Sequence, residues 1–137
     1  MKIFLTHESQ SPATALIANY RDKLSLKLDE LMDSSPDSYG TDITTLCIIS
    51  TCVSKNFLLD SGWKERIRYS KTDQTTDIRL NIDWERFIIA DAKEQYNMYV
   101  DNIIMSIYRF GIKYPKLNFD YQKLICDIKT LCFCEPL

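Results

Sequence analysis

The side chains able to do chemistry are few in this sequence and poorly placed for it. His7 is the only histidine, so a Ser-His or Cys-His nucleophile would have to be built beside the first predicted strand. A lone polar histidine there reads as structural or solvated. Asp77 and Asp83 could serve as an acid–base pair, but they alternate with Arg79 and Asn81 along a strand, the pattern of a wet sheet face. Cys132 and Cys134 form a C-x-C pair, yet a structural zinc site needs four ligands and His7 is far away in sequence. The three glycines, Gly40, Gly62 and Gly111, are isolated, so no glycine-rich loop cradles a phosphate. We therefore expect no catalytic residues, no metal site and no cofactor, and a protein that works by binding.

Charge is more informative than chemistry. Between Lys27 and Lys55 there is no lysine or arginine, while Asp29, Glu30, Asp33, Asp37 and Asp42 all fall there. Acidic groups at a helix C-terminus oppose the helix dipole, so local stability gives Asp33 no explanation. The bland reading is a solvated loop. The functional reading is an acidic surface that meets a basic partner, with Tyr39 as an aromatic anchor. The rival surface is basic: Arg66, Arg68 and Arg79, with Lys64, Lys71 and Arg86 nearby. Interleaved with Tyr69, it raises the alternative of a small RNA-binding module using a sheet face. Against that, Tyr69 points to the opposite side from the arginines, Asp77 and Asp83 share their face, and the net charge is −2. Nucleic acid is not the expected partner.

The elements that must position these residues follow from periodicity. Lys2 to Thr6 reads as a strand. Ser11-Pro12 reads as a helix start, with serine capping and proline at the first helical position. Leu16, Ile17, Tyr20, Leu24, Leu28 and Leu31 mark one helical face, and Pro36 and Gly40 close the region in a loop. Leu46 to Val53 reads as a buried central strand. Alternation in Glu65–Lys71 and Asp77–Trp84, joined by Thr72–Thr75, predicts a hairpin with Ile67, Tyr69, Ile78, Leu80, Ile82 and Trp84 on the dry side. Asp91 and Glu94 resemble a capping box before a helix carrying Tyr96, Val100, Ile103, Ile107 and Phe110, stopped by Gly111 and Pro115. A last helix is expected from about Phe119 to Cys132, with Leu124, Ile128 and Leu131 inward. The predicted class is α+β, a mainly antiparallel four-stranded sheet with helices on one face, in the order β-α-β-β-β-α-α.

Length and composition agree with one globular domain over residues 1–137: 45% of residues are apolar and 26% charged. No stretch is apolar enough for a membrane span, and the first residues turn polar too early for a signal peptide, so a cytoplasmic location is expected. The five cysteines (Cys47, Cys52, Cys126, Cys132, Cys134) are odd in number and sit mostly in apolar runs, as buried thiols would.

With this organisation in view, the chain resembles the bacterial immunity proteins encoded beside polymorphic toxins, including those of contact-dependent growth inhibition. The resemblance lies in the opening Met1-Lys2-Ile3-Phe4 and early helix, and in Glu65-Arg66-Ile67-Arg68-Tyr69-Ser70-Lys71 followed by Thr76-Asp77-Ile78-Arg79-Leu80-Asn81-Ile82-Asp83 and a helix. It covers most of the chain in outline, though its recognisable motif is about twenty residues of hairpin. The final helix and its cysteines lie outside it. The resemblance implies a cytosolic protein that binds the C-terminal domain of one cognate toxin and blocks its active site or substrate access. Many such toxins are nucleases with basic clefts, which the acidic stretch would suit.

Overall fold

A computed structural model of the chain describes residues 1–133. Its elements are β1 (Lys2–Ser9), α1 (Ala13–Ser34), β2 (Thr45–Cys52), α2 (Lys55–Ser61), β3 (Arg66–Ser70), β4 (Thr75–Asn81), α3 (Trp84–Ile89), α4 (Ala92–Lys113) and α5 (Tyr121–Phe133). The four strands form one sheet in the order β1-β2-β4-β3. Ile3 and Leu5 of β1, Leu46 and Ile48 of β2, and Ile78 and Leu80 of β4 turn inward against Ile17, Leu24 and Leu28 of α1 and Ile103 and Ile107 of α4. α5 packs on α4 rather than on the sheet.

The α+β class and the four strands agree with expectation, but the sheet is mixed rather than mainly antiparallel. β1 pairs parallel with β2, β2 pairs parallel with β4, and only β3 and β4 are antiparallel. The cause is the 22-residue helix α1. At 1.5 Å per residue it runs about 33 Å back along the sheet, so the chain re-enters in the direction it first took. The segment holding α2 then carries the chain past the position beside β2 to the far edge. β3 lies there, and β4 folds back into the gap.

The hairpin and its register are as the alternation predicts. Ile67 lies opposite Ile78 and Arg68 opposite Asp77, and Thr76, Ile78, Leu80 and Ile82 are all buried. The turn lacks glycine, and Gln74 takes the left-handed conformation instead, at φ 54°. Its carbonyl accepts from Thr44 N at 2.8 Å and its side chain from Thr44 Oγ1 at 3.1 Å, which anchors an otherwise disfavoured backbone.

Several boundaries differ from the sequence reading. β1 extends to Ser9, and Pro12 occupies the cap position of α1 with no side-chain hydrogen bond, so Ser11 does not cap. Trp84 opens α3 instead of ending a strand, because Asp83 caps that helix by accepting from Arg86 N. Asp91 caps α4 as expected, accepting from Glu94 N at 2.8 Å. Gly111 does not stop α4. It lies inside the helix, where a Cβ would collide with the Tyr121 ring, so its role is to let α5 approach. On α5, Leu124, Ile128 and Cys132 are buried while Leu131 is only partly so.

Asn81 sits on the open face of the sheet but is not idle there. Its Oδ1 accepts from Val53 N and Thr51 Oγ1, each at 3.2 Å, tying β4 to the end of β2. In chemical denaturation, Leu80→Ala should cost roughly 2–5 kcal/mol through the cavity it leaves. Asn81→Ala should cost about 1–3 kcal/mol by orphaning the Val53 amide. A larger loss at Asn81 than at Leu80 would contradict this assignment of faces.

Candidate functional site

The acidic stretch divides into two groups. Asp29, Glu30 and Asp33 stand on the exposed side of the last turns of α1, and Asp37 is exposed in the turn that follows. That last turn carries no basic residue. Among the described residues none of these four carboxylates lies within ion-pairing distance of a basic side chain. The helix dipole adds partial negative charge at the same place, although Ser34 Oγ and Ser35 N donate to the Leu31 and Met32 carbonyls. Asp29 and Asp33 also border a cleft with Met1, Lys2, Met32 and Pro36, where the N-terminal ammonium of Met1 donates to the Pro36 carbonyl at 3.4 Å.

Tyr39 and Asp42 belong to the interior framework instead. Tyr39 is 1% exposed, and its hydroxyl donates to Asp127 Oδ2 at 2.6 Å. Burial first, then the bond to Asp127, raises its pKa, so the phenol stays a donor. It therefore cannot offer its ring to a partner. Its role is to fasten the loop after α1 to α5. Asp42 accepts from Asn118 N at 2.6 Å through Oδ2, and its carbonyl accepts from Tyr69 Oη at 2.6 Å. Gly40, at φ 115°, lets the same loop press on the Asn118 backbone. The sequence signal was charge alone, and charge does not reveal that one aspartate is a loop staple.

The arginines share the sheet face that no helix covers, where Arg66 lies opposite Arg79. Most of their charge is already engaged. Arg66 Nε lies 2.8 Å from Asp77 Oδ2, an ion contact without hydrogen-bond alignment. Arg79 donates to the Lys64 carbonyl at 2.9 Å and stacks 4.8 Å from the Trp63 ring. Arg68 is exposed. Beside this face α2 buries none of its residues, leaving Phe57 41% and Leu59 81% exposed. Those apolar groups were missed because seven residues are too few for a periodic signal.

The candidate chemical groups are separated. Asp77 is committed to Arg66 and Asp83 to the α3 cap. Cys47 is half-buried, Cys52 is buried with its thiol pushed up to about 12 by burial and then by Asp83 and Glu85, and Cys126 is exposed. Cys132 is buried, and Cys134, the other half of the C-x-C pair, lies outside the described residues. Among the described residues no cluster of His, Cys, Asp and Glu could hold a metal ion, and no helix is long and apolar enough to cross a membrane.

His7 faces α1, where Arg21 Nη1 donates to its Nδ1 at 3.1 Å. Burial is the larger cause that lowers its pKa, and Arg21 the second. Because the unfolded chain binds the proton more readily, stability should rise as pH increases toward about 6.5 and level off above it. Thermal melts between about pH 5 and 7 should show a steeper rise for the wild type than for His7→Gln. Arg21→Gln should reduce the slope without abolishing it. Parallel profiles for wild type and His7→Gln would contradict this coupling.

In comparison with known families, the model of a family described as Immunity protein 44 aligns with residues 1–132. No curated protein and no solved structure matches.

Proposed function

This chain belongs to the immunity protein 44 family, and we propose that it neutralises one cognate toxin domain by forming a tight complex, without catalysis of its own. The contact we assign to the toxin is the acidic end of α1: Asp29, Glu30, Asp33 and Asp37. The observation that carries this reading is that, among the described residues, none of these four exposed carboxylates forms an ion pair, at a helix end whose dipole adds negative charge.

Compensation is what supports this end over the arginine-bearing face. Arg66 is answered by Asp77, and Arg79 by Trp63 and a carbonyl, so less unbalanced charge remains there to recognise a partner. An acidic surface free of ion pairs among the described residues complements a basic one, and basic clefts are how proteins hold nucleic-acid phosphates. The toxin is accordingly read as a nuclease whose substrate channel the acidic end occupies. The carboxylates steer encounter from outside contact range, and those that become desolvated against arginine slow dissociation.

Stopped-flow association with the cognate toxin domain tests this. The variant with Asp29→Asn, Glu30→Gln, Asp33→Asn and Asp37→Asn should associate about tenfold or more slowly at low ionic strength. Its rate should depend less on salt, because screening acts on the charges removed. Arg68→Gln should leave the rate unchanged. Normal rates for the acidic variant, with weakened binding for Arg66→Gln or Arg68→Gln, would move the contact to the sheet. Simultaneous binding of the protein and a nucleic-acid substrate to one toxin would refute occlusion of a substrate channel.

A further inference from the structure

The two edges of the sheet are β1 and β3, and they are guarded very differently. β3 is five residues long and carries Arg66 and Arg68, and Lys113 of α4 donates to its Ile67 carbonyl at 2.6 Å. Short length, charge and a covering side chain are the usual means of keeping an edge from pairing. β1 has eight residues and no proline, and its ladder to β2 runs unbroken from Lys2 opposite Thr45 to Ser9 opposite Cys52.

The direction of its free backbone groups follows from that ladder. Lys2 N donates to Thr44 O, and Gln10 N to Cys52 O. In a parallel pair, alternate residues turn both N–H and C=O to the same neighbour. Lys2, Phe4, Thr6 and Glu8 therefore bond β2, while Ile3, Leu5 and His7 aim their backbone groups outward. The side chains of Ile3 and Leu5 are buried, and those of Lys2, Phe4 and Glu8 are exposed on the open face, Phe4 at 50%.

We infer that this edge pairs with the same edge of a second copy of the chain, antiparallel and centred on Leu5, to give one sheet continuous across both copies. In that register Leu5 faces Leu5 and Ile3 faces His7 of the second copy, so every outward backbone group of Ile3, Leu5 and His7 finds its complement. Lys2 then falls opposite Glu8 of the second copy, and Glu8 opposite its Lys2. Both pairs occupy the non-hydrogen-bonded positions, where facing side chains come closest. Phe4 lies over Thr6 of the second copy. A slip of two residues either way shortens the ladder and separates both lysine–glutamate pairs. Charge complementarity thus selects a second copy, in one register, as the occupant of this edge. With one strand from each copy the interface is small, and association in the micromolar range is expected.

Sedimentation equilibrium of the free protein up to about 100 μM, well above that range, should show concentration-dependent dimer formation. Lys2→Glu and Glu8→Lys should each weaken dimerisation about tenfold or more, since each sets like charges opposite one another twice. Mixing the two single variants should restore association, because each then supplies the charge the other lacks. The double variant Lys2→Glu/Glu8→Lys should dimerise alone. A wild type that stays monomeric throughout this range would overturn the inference, as would a dimer indifferent to both swaps or single variants that fail to rescue each other. A monomeric wild type whose Lys2→Glu variant loses toxin binding would reassign the edge to the toxin.

Discussion

Everything in this fold hangs on β2. It has a parallel neighbour on each side, and its inward side chains Leu46, Ile48 and Cys52 are fully buried. A central strand paired on both edges has no backbone group left for water, and where the ladder to β4 is interrupted, Thr76 Oγ1 accepts from Cys47 N at 2.8 Å and donates to its carbonyl at 2.9 Å. The polar groups it buries are met from within. Ser50 Oγ donates to Asn102 Oδ1 of α4 at 2.7 Å, and Asn102 Nδ2 donates to the Leu80 carbonyl at 3.3 Å. One asparagine therefore fixes α4 against both middle strands. Fully satisfied buried networks of this kind specify one arrangement of helix on sheet, where an all-apolar contact would tolerate sliding.

The surface divides according to what the core consumes. Tyr39 and Asp42 lock the loop after α1 to α5 and to the loop before it, so the acidic end of α1 is presented on an anchored base. The carboxylates just upstream take no part in that locking. Preorganised charge adds to recognition because little ordering remains when a partner arrives. The same logic holds for the arginine-bearing face, where ion contact and stacking hold the guanidinium groups in place and largely answer their charge.

Much of this was legible in the sequence, for reasons that can be named. Strict alternation from Thr76 to Ile82 gave the hairpin register, because a one-residue slip would have put every apolar side chain in water. Sheet direction was not legible: it depends on how far α1 carries the chain back, and four strands with the same pattern fit either arrangement. The short helices α2 and α3 were invisible to periodicity, and Trp84 looked like a strand residue until the Asp83 cap was seen. By sequence alone Gly111 fits helix termination, its commonest role, whereas its cause is the Tyr121 ring on a distant element. At the candidate site, composition located the acidic run. It could not distinguish the solvent-facing Asp29, Glu30, Asp33 and Asp37 from the internally bonded Tyr39 and Asp42, since that difference is made by Asp127 and Asn118 far along the chain.

The proposed contact places a toxin against the acidic end of α1. Hydrogen–deuterium exchange of the protein alone and in complex with its cognate toxin domain tests this most directly, because it reports where protection appears without altering a residue. Added protection should then concentrate in the last turns of α1 and the turn that follows, roughly residues 28 to 39, above the level of the free protein. Protection confined to β3 and β4, with the end of α1 exchanging as in the free chain, would contradict it.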